Sequence, residues 1–109
     1  MNRMFVYSKK FTDKWHDLKL TDNDLYSLEQ YLLKNPSAGN VIQGTGGLRK
    51  LRWALPNAGK SGGIRVLYVD IVIHEEIYMV DLFSKSGKEN LTDAEKNAIK
   101  KIINKEMRG

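Results

Sequence analysis

Leu48-Arg49-Lys50-Leu51-Arg52-Trp53 alternates apolar and basic side chains, the pattern of a β-strand. Successive strand residues point to opposite faces, so Leu51, Trp53 and Leu55 share one face while Lys50 and Arg52 share the other. The strand lies in a 29-residue stretch, 41–69, that holds Arg49, Lys50, Arg52, Lys60 and Arg65 and no acidic residue. The whole chain has 18 Lys and Arg against 13 Asp and Glu, a formal charge of +5. Without those five cations the remaining charges balance, so the excess is local. A sheet with one apolar face and one doubly cationic face predicts a surface for a polyanion, RNA first among them.

The flanking sequence supplies the other elements. Residues 4–8 form a candidate strand, and Phe11, Trp15 and Leu18 have the spacing of a short amphipathic helix. Thr21 or Asp22 can cap a second helix, with Asp24 in its first turn and Leu25, Leu28 and Leu32 along one face. Asn35-Pro36 ends it, because a residue before proline is pushed out of the helical region. The two helices make an αα-hairpin. Residues 35–47 read as a loop closing with Gly44-Thr45-Gly46-Gly47, and 56–63 as a long, turn-rich connector. Residues 64–73 are apolar on both faces past Arg65, as in a central strand. His74-Glu75-Glu76 turns the chain into a last strand over 77–83. Thr92-Asp93-Ala94-Glu95 is a capping box that opens a final helix. Ala98, Ile99, Ile102 and Ile103 form its stripe, with Lys96, Lys100, Lys101 and Lys105 largely off it. The order predicts an α+β fold: an N-terminal strand and αα-hairpin, an antiparallel three-strand meander and a C-terminal helix, in one domain over 1–109.

Several function classes recede. The chain has no cysteine, which removes disulfides and thiolate metal sites, and two histidines alone make no usual zinc site. Neither His16 nor His74 has an evident nucleophile or second ligand nearby in sequence. No metal and no cofactor is expected. No apolar run approaches the ~18 residues of a membrane span, so a cytoplasmic protein without membrane contact is expected. Gly59-Lys60-Ser61 resembles the end of a phosphate-binding loop, but position 54 is Ala54 where the loop needs glycine. Residues 39–45 have the glycine spacing and lack the lysine. Both read as ordinary turns.

The cations are the stronger signal. Lysine and arginine also blunt exposed strand edges. Here, however, Arg65 opens the adjoining strand straight after Gly62-Gly63, and Ser84-Lys85-Ser86-Gly87-Lys88 makes a second basic turn. Such a cluster suits phosphate chemistry. Cleaving RNA through its own 2′-hydroxyl needs a base, an acid for the leaving 5′-oxygen, and cations for the charge growing on phosphorus. Lysine among other cations loses its proton more readily, and arginine stays protonated and stabilises charge. Lys50 is therefore the candidate base. A site of this kind, lacking histidine or metal, needs its substrate positioned by something else.

Gly46-Gly-Leu-Arg-Lys-Leu-Arg-Trp53, Ser61-Gly-Gly-Ile-Arg-Val-Leu-Tyr68 and Leu82-Phe-Ser-Lys-Ser-Gly-Lys88 together resemble the RelE/ParE superfamily of toxins, most closely its HigB-type branch. The resemblance runs over nearly the whole chain. It implies a RelE-like fold and a metal-independent, ribosome-dependent endoribonuclease that cuts mRNA in the codon occupying the 30S A site, inhibiting translation. It assigns Lys50 and Arg52 to the scissile region, Arg65 to the phosphate and Lys85 to the leaving oxygen. Arg49, Lys60 and Lys88 are expected to contact RNA around them. Some relatives carry a tyrosine shortly after the position of Lys85; here Leu91 and Thr92 follow, and Phe83 is the nearest aromatic. The resemblance also implies a cognate antitoxin, a DNA-binding repressor. Two alternatives stay open at this point: a ParE-like DNA gyrase inhibitor, and an RNA-binding module without catalysis.

Overall fold

The computed structural model describes residues 3–55, 63–84 and 91–108. Strand β1 (Met4–Tyr7) leads into helices α1 (Lys9–Asp17) and α2 (Asp22–Lys34). They are followed by β2 (Asn40–Val41), β3 (Arg49–Trp53), β4 (Ile64–Ile71), β5 (Glu76–Ser84) and α3 (Asp93–Met107). The strands form one mixed sheet in the order β1-β5-β4-β3-β2. β3, β4 and β5 are the expected antiparallel meander. β1 joins β5 in parallel, and β2 borders β3 in antiparallel fashion. The fold is α+β.

Local sequence fixes the helix starts. The Ser8 hydroxyl accepts from the Phe11 N–H and caps α1. Thr21 with Asp24, and Thr92 with Glu95, form reciprocal capping boxes on α2 and α3. Asn35 caps the C-terminus of α2 just before Pro36.

The sheet has two covered faces. On one, Phe11, Trp15, Leu28 and Leu32 from α1 and α2 bury Leu51, Val66, Tyr68, Ile77, Met79 and Leu82, with Trp53 and Leu55 packed alongside. This is the apolar face expected of β3. On the other, Ile103 and Ile99 of α3 meet Leu48, Leu67, Val69 and Ile71. A bulge between Leu67 and Tyr68 shifts the β4–β5 register. Beside it Asp81 of β5 receives Lys14 at 2.8 Å and Lys10 at 3.3 Å, tying α1 to the sheet. Arg3 and Asp70, both shielded from solvent, pair at 2.8 Å and anchor the start of β1.

Three local expectations need correction. The strand expected over 64–73 ends at Ile71, and Val72–His74 is a 3-10 turn with both apolar residues exposed. Glu75 then reverses the chain in the left-handed region at φ 54°. The loop expected over 35–47 contains β2. The stripe of α3 is covered less fully than its spacing suggests: Ala98 is exposed and Ile102, at the edge of the pocket beneath the helix, is 63% exposed, while Ile99 and Ile103 pack against the sheet.

Candidate nucleic-acid interface

The register of the meander builds the site. Arg52 of β3 lies directly opposite Arg65 of β4, and Arg65 lies opposite Phe83 of β5. Paired residues share a face of the sheet, with Cβ atoms about 4.5–5.5 Å apart. Arg52, Arg65 and Phe83 are therefore a row across three strands. Lys50 lies two residues before Arg52 on the same face, opposite Leu67. This is the α3 face of the sheet, but at the end away from the Val69–Ile71 contacts of α3. Arg52 is exposed, while Lys50, Arg65 and Phe83 are half-buried.

Two arginines in direct cross-strand apposition repel each other. An anionic group between them would convert repulsion into two charge-assisted contacts. The half-buried Phe83 adds an apolar surface beside the cations, packed at the margin of the second core.

The remaining candidates distribute differently. Arg49 lies on the opposite face, opposite Tyr68, and its Nη1 donates to the carbonyls of Gly39 at 2.7 Å and Ser37 at 3.3 Å. Strand alternation already sets it beside Leu51 and Trp53, away from Lys50 and Arg52. Lys60, Lys85 and Lys88 lie outside the described residues. His74 follows the far end of β4, about 20 Å from Arg65 at ~3.3 Å per residue. It reaches the Glu106 carbonyl at 3.0 Å and fastens the end of α3. His16 is exposed on α1. Among the described residues no three His, Asp or Glu side chains are grouped to hold a metal ion. None of the described helices is long and apolar enough to cross a membrane.

Sequence reasoning missed the support beneath β3. The Tyr68 hydroxyl, inside the core, accepts from the Gly39 N–H at 3.0 Å and donates to the Pro36 carbonyl at 2.9 Å. Thr45, also fully buried, donates to the Ile42 carbonyl at 2.6 Å and accepts from the Leu48 N–H at 3.0 Å. The glycines around it, Gly44, Gly46 and Gly47, all have positive φ, so the turn into β3 uses backbone that other residues rarely adopt. A tyrosine in an apolar strand and a threonine among glycines carry no outward mark of these roles.

A mixed five-stranded sheet, with two helices on one face and a cationic row toward one end of the other, defines a small basic α+β protein. A family model described as the RelE toxin of the RelE/RelB toxin–antitoxin system matches residues 4–108. The chain belongs to that family. Its fold is similar to that of the Escherichia coli toxin RelE, solved as a double arginine-to-alanine mutant in the free state. The two share 20% identity over 94% of this chain and 99% of that one, with a TM-score of 0.57.

Proposed function

We propose that this toxin is a ribosome-dependent endoribonuclease that cuts mRNA in A-site codons, and that it works without a metal ion. The observation that carries the reading is the Arg52–Arg65–Phe83 row with Lys50 beside it. In the proposed reaction the 2′-oxygen attacks the adjacent phosphorus, Lys50 takes its proton, and the bond to the 5′-oxygen breaks. The products are a 2′,3′-cyclic phosphate and a 5′-hydroxyl. Arg65 and Arg52 stabilise the charge that grows on the phosphoryl oxygens, which arginine does as a permanently protonated, bidentate donor. Lys85 protonates the leaving oxygen. Phe83 offers a base an apolar surface, and Lys60 and Lys88 add backbone contacts. Among the described residues no histidine or carboxylate pair stands beside the row to perform both proton transfers, so free RNA is expected to be a poor substrate. The ribosome supplies what the site lacks by holding the codon in one geometry.

The reading extends to the HigB-type branch of the superfamily, to the cytoplasm as the site of action, and to an antitoxin that is itself a DNA-binding repressor.

The test is to add the protein to a translating extract and map breaks by primer extension, with Lys50→Ala, Lys50→Arg and Arg65→Ala alongside. Breaks confined to translated codons and abolished in all three variants support it. Cleavage that survives Lys50→Arg removes Lys50 as proton acceptor, because arginine keeps the charge and gives up the proton transfer. Uncut messages overturn the nuclease reading, and a supercoiling assay with DNA gyrase then becomes the relevant measurement.

A further inference from the structure

Lys50 is held from both sides of its strand. It pairs with Leu67 of β4 on one side and with Asn40 of β2 on the other. The Ile42 N–H donates to the Leu48 carbonyl at 2.8 Å, so by antiparallel alternation Asn40–Lys50 is the next hydrogen-bonded pair. The Lys50 peptide thus depends on β2. β2 has two residues and cannot hold its own position. The Thr45 turn fastens its far end through Ile42 and Leu48, and the preceding segment, 36–39, holds the end that carries Asn40.

Three contacts fix that segment. The buried Tyr68 hydroxyl joins the Gly39 N–H to the Pro36 carbonyl. Burial raises the pKa of this phenol, so it keeps the proton it donates. Arg49 joins the Ser37 and Gly39 carbonyls. Gly39 itself lies against its neighbours: a Cβ there would stand 3.0 Å from the Lys50 carbonyl carbon and oxygen and 3.0 Å from the Tyr68 ring. Core, loop and Lys50 backbone meet at one residue that has no side chain.

We propose that Tyr68 and Gly39 are positioning residues for Lys50, forming a strut from the core through residues 36–39 that fixes the backbone carrying the proton acceptor. The proposal rests on the reading of Lys50 given above. A proton acceptor must lie within hydrogen-bond reach of its proton, and a displacement near 1 Å can cost about 100-fold in rate.

The experiment compares Tyr68→Phe, Gly39→Ala and Ile71→Val, the last a core change at the far end of β4. Each is assayed for single-turnover cleavage on programmed ribosomes and for amide hydrogen exchange at Lys50, well below its melting temperature. In Tyr68→Phe and Gly39→Ala the maximal rate falls roughly 10- to 100-fold, the half-saturating ribosome concentration stays unchanged, and Lys50 exchange accelerates. Ile71→Val leaves all three readouts as in wild type. Wild-type cleavage by folded Tyr68→Phe, or unchanged Lys50 exchange in it, overturns the proposal. Should Tyr68→Phe fail to fold, Gly39→Ala is judged by the same two measurements. If the wild-type protein cuts nothing, the nuclease reading falls, and Lys50 exchange alone decides the strut: faster exchange upholds it, unchanged exchange overturns it.

Discussion

Replacing Arg52 by glutamine should make the protein more stable and less active. Arg52 faces Arg65 across the β3–β4 pair, and Lys50 lies on the same face two residues away. Two unit charges ~6 Å apart in water-like surroundings repel by roughly 0.7 kcal/mol. That agrees with the range of about 0.2–1 kcal/mol for a cross-strand pair. Glutamine keeps most of the methylene stem of this exposed residue and removes the charge. A gain of ~0.5–1 kcal/mol corresponds to a rise of about 2–6 °C in Tm for a domain of this size. The gain has a signature that packing cannot imitate. The screening length is about 30 Å at 0.01 M salt and about 3 Å at 1 M. The Tm difference between variant and wild type should therefore be full at low salt and nearly gone at 1 M. In a parallel titration with single-stranded RNA, the variant should bind more weakly and its salt slope should flatten by about 0.7, the loss of one phosphate contact. Four thermal scans by circular dichroism, two proteins at two salt concentrations, and one binding series for each protein suffice. A variant destabilised at low salt, or stabilised equally at both salts, refutes the claim that the two arginines repel each other in the free protein.

Other outcomes follow from the same structure. Thr45→Val, nearly isosteric, leaves the buried Leu48 N–H without its side-chain partner; it should cost about 1–3 kcal/mol, and denaturant unfolding should find it less stable than Thr45→Ser, which keeps the hydroxyl. The pocket of about 150 Å³ under α3, lined by residues including Leu48, Val69, Ile71, Ile99 and Ile103, has room for one more carbon. Val69→Ile should thus gain up to ~0.8 kcal/mol, read as a higher Tm with activity unchanged. Burial raises the pKa of the Glu29 carboxyl. A raised carboxyl pKa contributes stability below its unfolded value that is lost as pH rises through the folded one. Glu29→Gln should accordingly stabilise relative to wild type at neutral pH and lose that advantage in acid, as paired melting curves at the two pH values will show.

What the sequence disclosed was what neighbours along the chain decide. β3 announced its two faces by alternation, and the capping box at Thr92 marked the start of α3 to the residue, while the start of α2 was left between Thr21 and Asp22 until the structure showed Thr21 as the cap. The sheet edges were not legible. β2 is two residues without periodicity, held by Tyr68 some thirty positions away, and the parallel pairing of β1 with β5 joins strands about seventy residues apart. Val72 and Ile73 read as strand because apolar residues usually continue one, yet the left-handed Glu75 turns the chain before they can pair. In α3, four apolar residues specified a face too broadly, and only contact with the sheet selected Ile99 and Ile103 over Ile102. The same division holds at the site. Charge and alternation pointed to Lys50 and Arg52, but the cross-strand register set Arg65 opposite Arg52 and Phe83 opposite Arg65. Arg49 shows the limit of counting charges, since the strand turns its guanidinium to the carbonyls of 37 and 39.

That contrast also explains why the cationic row is at this end of the sheet. α3 covers the other end, where β4 presents Leu67, Val69 and Ile71 to Ile103 and the residues are apolar. At the end with Arg52 and Arg65 one face is still sealed by Leu51, Val66 and Leu82 over the helical pair. The strands there are supported from below, and among the described residues no helix covers them from above. An open sheet end that served only stability would be expected to carry mixed or neutral polar residues, because clustered like charges cost free energy in the folded state. Natural proteins accept such a cost where a ligand removes it. A phosphate group at the row would have that property under the function proposed above, since pairing with both arginines would end their mutual repulsion. Salt-dependent stability in the free protein and salt-dependent RNA affinity are then two measurements of one arrangement, and they must change together when Arg52 is replaced.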